Sequence, residues 1–237
     1  MQLRHVLLPL ARSANQLYLE SKRTKSSAYT LERLQIMFIG ILGTGQVAQT
    51  LARALSDAGH QISLGSRDPQ SKTFEFPVLP LAEAVATADV VINATLGSGS
   101  LETLTSIGAD AFAGKIVLDV ANANTPAFDL LYPNSSLGEQ LQAALPGAKI
   151  VKTMNTASMA VITDPSALGP SSVFVSGEDA GAKAIATSIL TDLGWPADSV
   201  VDLGDIRSAR GVEHYFLLFA ALMQAKRSPM FNIQVTQ

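Results

Sequence analysis

The 237-residue sequence contains no cysteine. That absence excludes disulfide staples, iron–sulfur ligation, thiolate zinc sites and a cysteine nucleophile, so any redox chemistry has to come from a cofactor. Charge is sparse as well. Only 16% of residues are Asp, Glu, Lys or Arg, against 47% hydrophobic, and the mean hydropathy is +0.25. Such a composition describes a packed globular chain and excludes disorder of the whole. A long apolar run is lacking too: the longest, Phe216 to Met223, has eight residues, where roughly 18 to 20 are needed to cross a bilayer. The expectation is a soluble, cytoplasmic protein without a membrane partner. A basic stripe is also missing, because the net charge of −3 divides into +4 over residues 1–36 and −7 over residues 37–237. An acidic body of this kind lacks the cations that displace counterions from nucleic acid, which is excluded as a partner.

Residues 1–36 precede the first convincing strand and read as an N-terminal extension, either a disordered tail or an over-extended start with Met37 as the natural one. A secretory signal is opposed by Pro9 inside a short apolar stretch and by the lack of a clear small-residue cleavage site; the Arg and Ser content fits a transit peptide only weakly. Tyr18 and Lys22 make a Y-x-x-x-K spacing, but ahead of the first strand it is chance.

From Met37 onward short apolar runs alternate with helical stretches. Strands are expected at Met37–Leu42, Gln61–Gly65, Val90–Ala94, Lys115–Val120 and Lys149–Met154, with helices at Gln46–Ala58 and Leu81–Ala88. The nearly continuous apolar runs suit parallel strands covered on both faces. After Asn155 the spacing changes: a helix near Ala157–Ile162, a strand Val173–Ser176, a helix Ala180–Leu193, a strand Val200–Leu203 and a last helix running from the acidic turn at Asp202–Asp205 to about Lys226. The fold class is therefore α/β, a doubly wound parallel sheet of Rossmann type over residues 37–156 with a small C-terminal α/β lobe over residues 157–237. The last helix is apolar on more than one face, which fits either an intramolecular core or a dimer surface.

The chemistry-bearing segment follows the first strand. Gly43-Thr44-Gly45-Gln46-Val47-Ala48 is a G-x-G-x-x-A fingerprint between a strand and a helix. Gly43 permits the tight turn, Gly45 lets the backbone approach a pyrophosphate and Ala48 lets helix and strand pack closely. The second strand ends in Gly65-Ser66-Arg67-Asp68. An NAD-binding fold places a carboxylate there for the ribose 2′-hydroxyl, whereas Ser66 and Arg67 offer a hydroxyl and a guanidinium fork suited to a 2′-phosphate, so NADP(H) is the expected cofactor. Asp68 in a shifted register remains the alternative, and Lys72 is a further candidate cation. The three histidines read as structural, His214 alone being worth testing as a substrate contact, and the carboxylates show no metal-ligand spacing.

The run from Ile41 through GTGQVAQTLARALSDAGHQISLGSRDP resembles the NADPH-dependent reductases of the deazaflavin coenzyme F-420. VVINAT at Val90–Thr95, IVKTMNTASMAVITDP at Ile150–Pro165 and DLGDIRSARGVEHYFLLFAALM at Asp202–Met223 are similar to later segments of that family. The resemblance implies a hydride passed between NADPH and a deazaflavin or flavin-type co-substrate in a cleft, in a homodimer. It places Thr44, Gly45, Gln46 and Val47 at the pyrophosphate and Ser66 and Arg67 at the 2′-phosphate. Thr95, Asn122, Asn155 and Thr156 would line the nicotinamide and acceptor side. No catalytic side chain is implied, because cofactors carry a direct hydride transfer. The alternatives are an NADP-dependent reductase of a small carbonyl or imine, which would want a long helical C-terminal domain, and an NADPH-binding sensor without turnover.

Overall fold

The computed structural model describes residues 36–71 and 73–236; the extension expected at 1–36, except its last residue, and the candidate cation Lys72 lie outside the described residues. Eight strands form one sheet: β1 (Phe38–Leu42), β2 (Gln61–Ser66), β3 (Val78–Pro80), β4 (Val90–Asn93), β5 (Ile116–Asp119), β6 (Lys149–Thr153), β7 (Val173–Ser176) and β8 (Val200–Asp202). Their order is β3-β2-β1-β4-β5-β6-β7-β8, and every pair is parallel except β6 with β7. The strand order reverses between β1 and β4, the place where a doubly wound sheet opens a crevice at the carboxyl ends of its strands.

The helices are α1 (Gln46–Asp57), α2 (Leu81–Thr87), α3 (Gly97–Ile107), α4 (Leu137–Ala144), α5 (Met159–Thr163), α6 (Ala180–Asp192) and α7 (Ala209–Lys226). In α1 the buried residues Ala48, Leu51, Ala52 and Leu55 fall at i, i+3, i+4 and i+7, one stripe facing the sheet. α1, α5 and α6 cover one sheet face over Ile39, Ile41, Ile92, Leu118 and Val151. α2, α3, α4 and the start of α7 cover the other over Leu42, Val91, Val117 and Ile150. Strands buried on both faces carry no polar alternation, which is why β4 and β7 are wholly buried.

The segment expected as a smaller C-terminal lobe supplies β7 and β8 to the same sheet. β7 enters antiparallel, pairing Lys152 with Ser176 and Thr153 with Val175, so the second half extends the nucleotide-type sheet across its edge. Two differences from the sequence reading concern helices. No helix was expected between the strands at Val90–Ala94 and Lys115–Val120, yet α3 lies there, its first turn concealed by Gly97 and Gly99, which have low helix propensity. The last helix begins at Ala209 after a 3-10 turn at Ile206–Ser208, later than the acidic turn.

That last helix is anchored by its first two turns. Arg210 donates to both carboxylate oxygens of Glu139, at 2.7 and 2.6 Å, and Ser136 caps the start of α4, its Oγ accepting from Glu139 N at 3.1 Å and donating to the Glu139 carboxylate at 2.9 Å. Glu213, one turn on, accepts from the uncapped N–H groups of Leu137 and Gly138 at 2.7 and 3.0 Å. The Arg-x-x-Glu spacing thus places both side chains on one face of α7 and clamps α4 by its N-terminus. The Arg210 guanidinium bonded to Glu139 holds that carboxyl below the usual range. Its contribution to stability is present above the ordinary carboxylate value and is lost as pH falls through the lowered one.

Candidate functional site

Two adjoining cavities of about 740 and 550 Å³ open at the carboxyl ends of the central strands and share Gly45, Ala94, Thr95 and Leu96. A separate hollow of about 490 Å³ near Pro165 and Trp195 contains none of the sequence-predicted residues.

The shared floor is the turn after β1. Gly43 has φ +118°, its N–H donates to the Gly65 carbonyl at 2.9 Å, and a Cβ on it would lie 2.6 Å from the Ala94 carbonyl oxygen. Both the backbone angle and the close approach demand glycine. Gly43→Ala is expected to cost about 2 kcal/mol or more of stability, measured by denaturant unfolding; a loss under half that would show that β4 yields easily. Gly45 is the N-cap of α1 in an extended conformation, no side chain caps the helix, its first turn holds no acid, and a Cβ at Gly45 would meet nothing within 4 Å. Gln49 Nε2 braces the loop by donating to the Thr44 carbonyl at 2.9 Å. Open space beside uncapped N–H groups at the positive end of a helix is a cradle for an anion such as a pyrophosphate.

α3 also starts at the cleft without a side-chain cap or an acid in its first turn. Gly97 lets it approach closely, since a Cβ there would overlap the Asn122 carbonyl. The larger cavity continues past the end of β2 to Ser66, Arg67 and Asp68, with Glu102 from α3. Ser66 Oγ accepts from Asp68 N at 3.1 Å, which shapes the turn. Arg67 is exposed and pairs with no carboxylate among the described residues.

The smaller cavity runs from Gln46 and Val47 to the ends of β5 and β6 and the wall of α7. Its lining holds no Asp, Glu, Lys, Arg, His or Tyr among the described residues. Phe216, Phe219 and Met223 form the outer side, and an aromatic row extends away from them: Phe128 to Phe216 at 6.1 Å, Phe216 to Phe219 at 6.2 Å and Phe219 to Phe231 at 5.1 Å. Asn122 and Asn155 face this space as a hydrogen-bonded pair, and Met154 beside them takes φ +59°. A buried non-glycine residue in that region is strained by about 1 kcal/mol or more, so the surrounding packing holds this turn in place.

Beneath the floor lies a buried polar network. The Lys152 ammonium, fully buried on β6, sits 2.8 Å from Asp119 of β5 and 3.0 Å from Glu213 of α7, and it also donates to the Ala121 carbonyl. Asp119 accepts from Asn93 Nδ2 at 2.8 Å; Asn93 Oδ1 accepts from the Thr95 hydroxyl at 2.6 Å and from its N–H at 3.2 Å. Thr95 Oγ1 and Ser100 Oγ are 2.7 Å apart. Lys152 therefore ties the Thr95 side of the cleft to the α7 side. Burial pulls its ammonium down, and the two carboxylates outweigh that and hold it above the usual lysine value.

The family described as NADP oxidoreductase, coenzyme F-420-dependent, matches residues 38–123. A protein from Arthrobacter sp. FB24, assigned as an F-420-dependent NADP reductase, is 38% identical in sequence, with a TM-score of 0.80 over 85% of this chain and 100% of its own. The chain belongs to the coenzyme F-420-dependent NADP oxidoreductase family. A second structure, from Sinorhizobium meliloti, shares 27% identity with TM-score 0.60 over 76% of this chain and 91% of that one. Metalloreductase STEAP3 of Rattus norvegicus is 31% identical over 179 residues, 74% of this chain but only 35% of that protein's length. Family members are NADP-dependent oxidoreductases. Among the described residues no helix is long and apolar enough to cross a membrane.

For this family member, the structure brings Gly43, Thr44, Gly45, Ser66, Arg67 and Thr95 to the larger cavity, and Gly45, Gln46, Val47, Thr95, Asn122 and Asn155 to the smaller. Thr156 is buried and lines neither. His214 is also absent from both linings, and His60 is structural: Nδ1 accepts from Met37 N at 3.3 Å, and Nε2 lies 3.3 Å from Asp192. Sequence reasoning missed Lys152, Asp119 and Glu213. Two charges inside expected strands were the available signal, since a buried charge needs a partner.

Proposed function

We propose that the chain transfers a hydride between NADPH and a planar flavin-type acceptor, the deazaflavin coenzyme F-420 being the one the family's description names. NADP(H) fits the larger cavity: the Gly43–Val47 turn and the start of α1 would take the pyrophosphate, and Ser66 and Arg67 the 2′-phosphate. Bound there, the nicotinamide supplies the hydride chemistry. The chain's own part is orientation and exclusion of water: Thr95 and the Asn122–Asn155 pair fix the ring end, and the α7 wall shapes a slot for the partner ring.

The observation that carries this reading is that, among the described residues, no ionisable side chain lines the smaller cavity beside its aromatic wall. Reduction of a carbonyl or imine needs a proton donor near the reacting atom, and among the described residues no such acid lines this space. A flavin-type ring accepts the hydride without one. Leu217 and Leu218, 46% and 53% exposed on α7, form an apolar face suited to a second copy, so we take the working form to be a homodimer. A cytoplasmic location goes with the same reading.

The test is NADPH oxidation with coenzyme F-420, FMN and a cyclic imine offered side by side. Turnover of a planar acceptor but not of the imine is expected. Turnover of the imine alone would overturn the assignment, and NADPH binding with no turnover of any of the three would identify a nucleotide sensor instead.

A further inference from the structure

α7 stops at Arg227, whose left-handed conformation, φ +52°, turns the chain away from the helix axis. Residues 228–235 have no secondary structure of their own, yet they are held in place. Ser228 Oγ accepts from Met230 N at 3.1 Å, and the Phe231 ring packs on Phe219 at 5.1 Å. Further on, the segment is tied to the residues just before β7. Asn232 Nδ2 donates to the Ser172 carbonyl at 3.0 Å and to Ser171 Oγ at 3.2 Å, Ser172 N donates to the Ile233 carbonyl at 2.8 Å, and Val235 N donates to Ser172 Oγ at 3.0 Å. Because β7 runs antiparallel to β6, pairing Val175 with Thr153, its start lies at the carboxyl end of β6, where the cleft opens. The tether and the cleft thus share one end of the sheet. Pro229 joins Phe216, Phe219 and Met223 in lining the smaller cavity, and Gln234 and Val235 line the separate hollow near Pro165 and Trp195.

We propose that residues 228–235 are a strap that selects the hydride acceptor: anchored on Ser171 and Ser172, it holds Pro229 against the smaller cavity, keeps acceptors with a bulky substituent away from the nicotinamide and shields the hydride from water. This deepens the reading of NADPH with a planar acceptor and rests on it. Proline suits the place, since its ring adds rigid apolar surface to the wall and its missing N–H leaves no donor to satisfy there. Four hydrogen bonds and one ring contact, without a helix or a strand ladder, put the strap among the weakly held elements from which lids are drawn. Its balance between closed and open is then set by the tether. Pro229 is the residue that meets the acceptor, while Asn232 and Ser172, absent from the cavity's lining, are positioning residues that act through it.

The experiment compares the full chain with Asn232→Ala and Pro229→Gly by two measurements. Acrylamide quenching of the emission of bound NADPH reports how open the nicotinamide is and needs no acceptor. The ratio of kcat/KM for FAD to that for FMN, the same ring with and without a bulky adenylyl group, reports acceptor size. Asn232→Ala should raise both the quenching constant and the ratio, the ratio by about tenfold, as expected when hydrogen bonds that hold the closed state are lost. Its NADPH affinity should stay within about twofold of the unaltered protein's, because Asn232 lines neither cavity, and this reports an intact fold. Pro229→Gly, whose side chain makes no hydrogen bond, carries the same test should Asn232→Ala fail to fold. An unchanged ratio in both variants would overturn acceptor selection, and unchanged quenching as well would remove the strap altogether; with NADPH still bound, the cofactor reading stands in either case. Where neither flavin is reduced, quenching decides. Failure of the unaltered chain to bind NADPH would overturn the cofactor reading and the strap together.

Discussion

Lys152→Met is expected to destabilise the protein by about 3–5 kcal/mol, the cost of removing one partner from a buried ion pair. The methionine fills most of the lysine's volume, so packing changes little. What changes is charge: Asp119 and Glu213, both buried, lose the ammonium that sits 2.8 and 3.0 Å away. Against a total stability of about 5–15 kcal/mol that is a large fraction, and at roughly 2–4 °C per kcal/mol it lowers Tm by about 10 °C. Lys152→Met combined with Asp119→Asn and Glu213→Gln should recover part of the loss, because neutral amides no longer need a cation. Failure to recover anything would place the effect in packing. The lysine's raised pKa gives its pairing a defined pH dependence: the stabilisation is full below the ordinary lysine value and is lost only as pH rises through the higher folded value. Between pH 6 and 9 the difference from Lys152→Met should therefore not track lysine titration.

Lys152 also shows what was and was not legible in the sequence. The fold's order could be read because each signal was local. Gly43 and Gly45 sit at fixed offsets from an apolar strand, Gly59 stops α1 at φ +99°, and Ser66-Arg67 follows β2 directly. The Lys152–Asp119–Glu213 cluster joins residues 33 and 61 positions apart, and nothing in the local pattern of IVKTM tells a lysine pointing into the core from one reaching solvent. The antiparallel entry of β7 was hidden for a related reason: strand direction is set by how the short α5 connection returns, and β7 reads as apolar in either direction. Asn122 and Asn155 were legible as strand-end residues. Their pairing was not, because it spans the β5–α4–β6 crossover and depends on a backbone carbonyl of α7.

Arg67→Glu is expected to weaken NADPH binding by about 100-fold or more and NADH binding by less than about threefold. The arginine stands at the tip of β2 with Ser66, lines the larger cavity and has no carboxylate partner among the described residues, so its fork is available to a dianionic 2′-phosphate. Losing charge-assisted hydrogen bonds costs about 1.5–3 kcal/mol, and a carboxylate placed against the phosphate adds repulsion of about 1 kcal/mol or more near the surface; together these come to about 2.5–4 kcal/mol, a range that contains the roughly 2.7 kcal/mol corresponding to 100-fold. NADH lacks the phosphate and forfeits neither contribution. Arg67→Lys should fall between, keeping a point charge but losing the planar fork. Salt supplies an independent check, because screening weakens a phosphate–guanidinium contact near solvent: raising ionic strength should erode NADPH affinity in the unaltered protein and leave it nearly flat in Arg67→Glu. Equal losses for NADPH and NADH would instead point to Asp68, one residue on in the same turn, as the ribose-binding acid, and Asp68→Ala would then abolish NADH binding while sparing the adenine and pyrophosphate contacts.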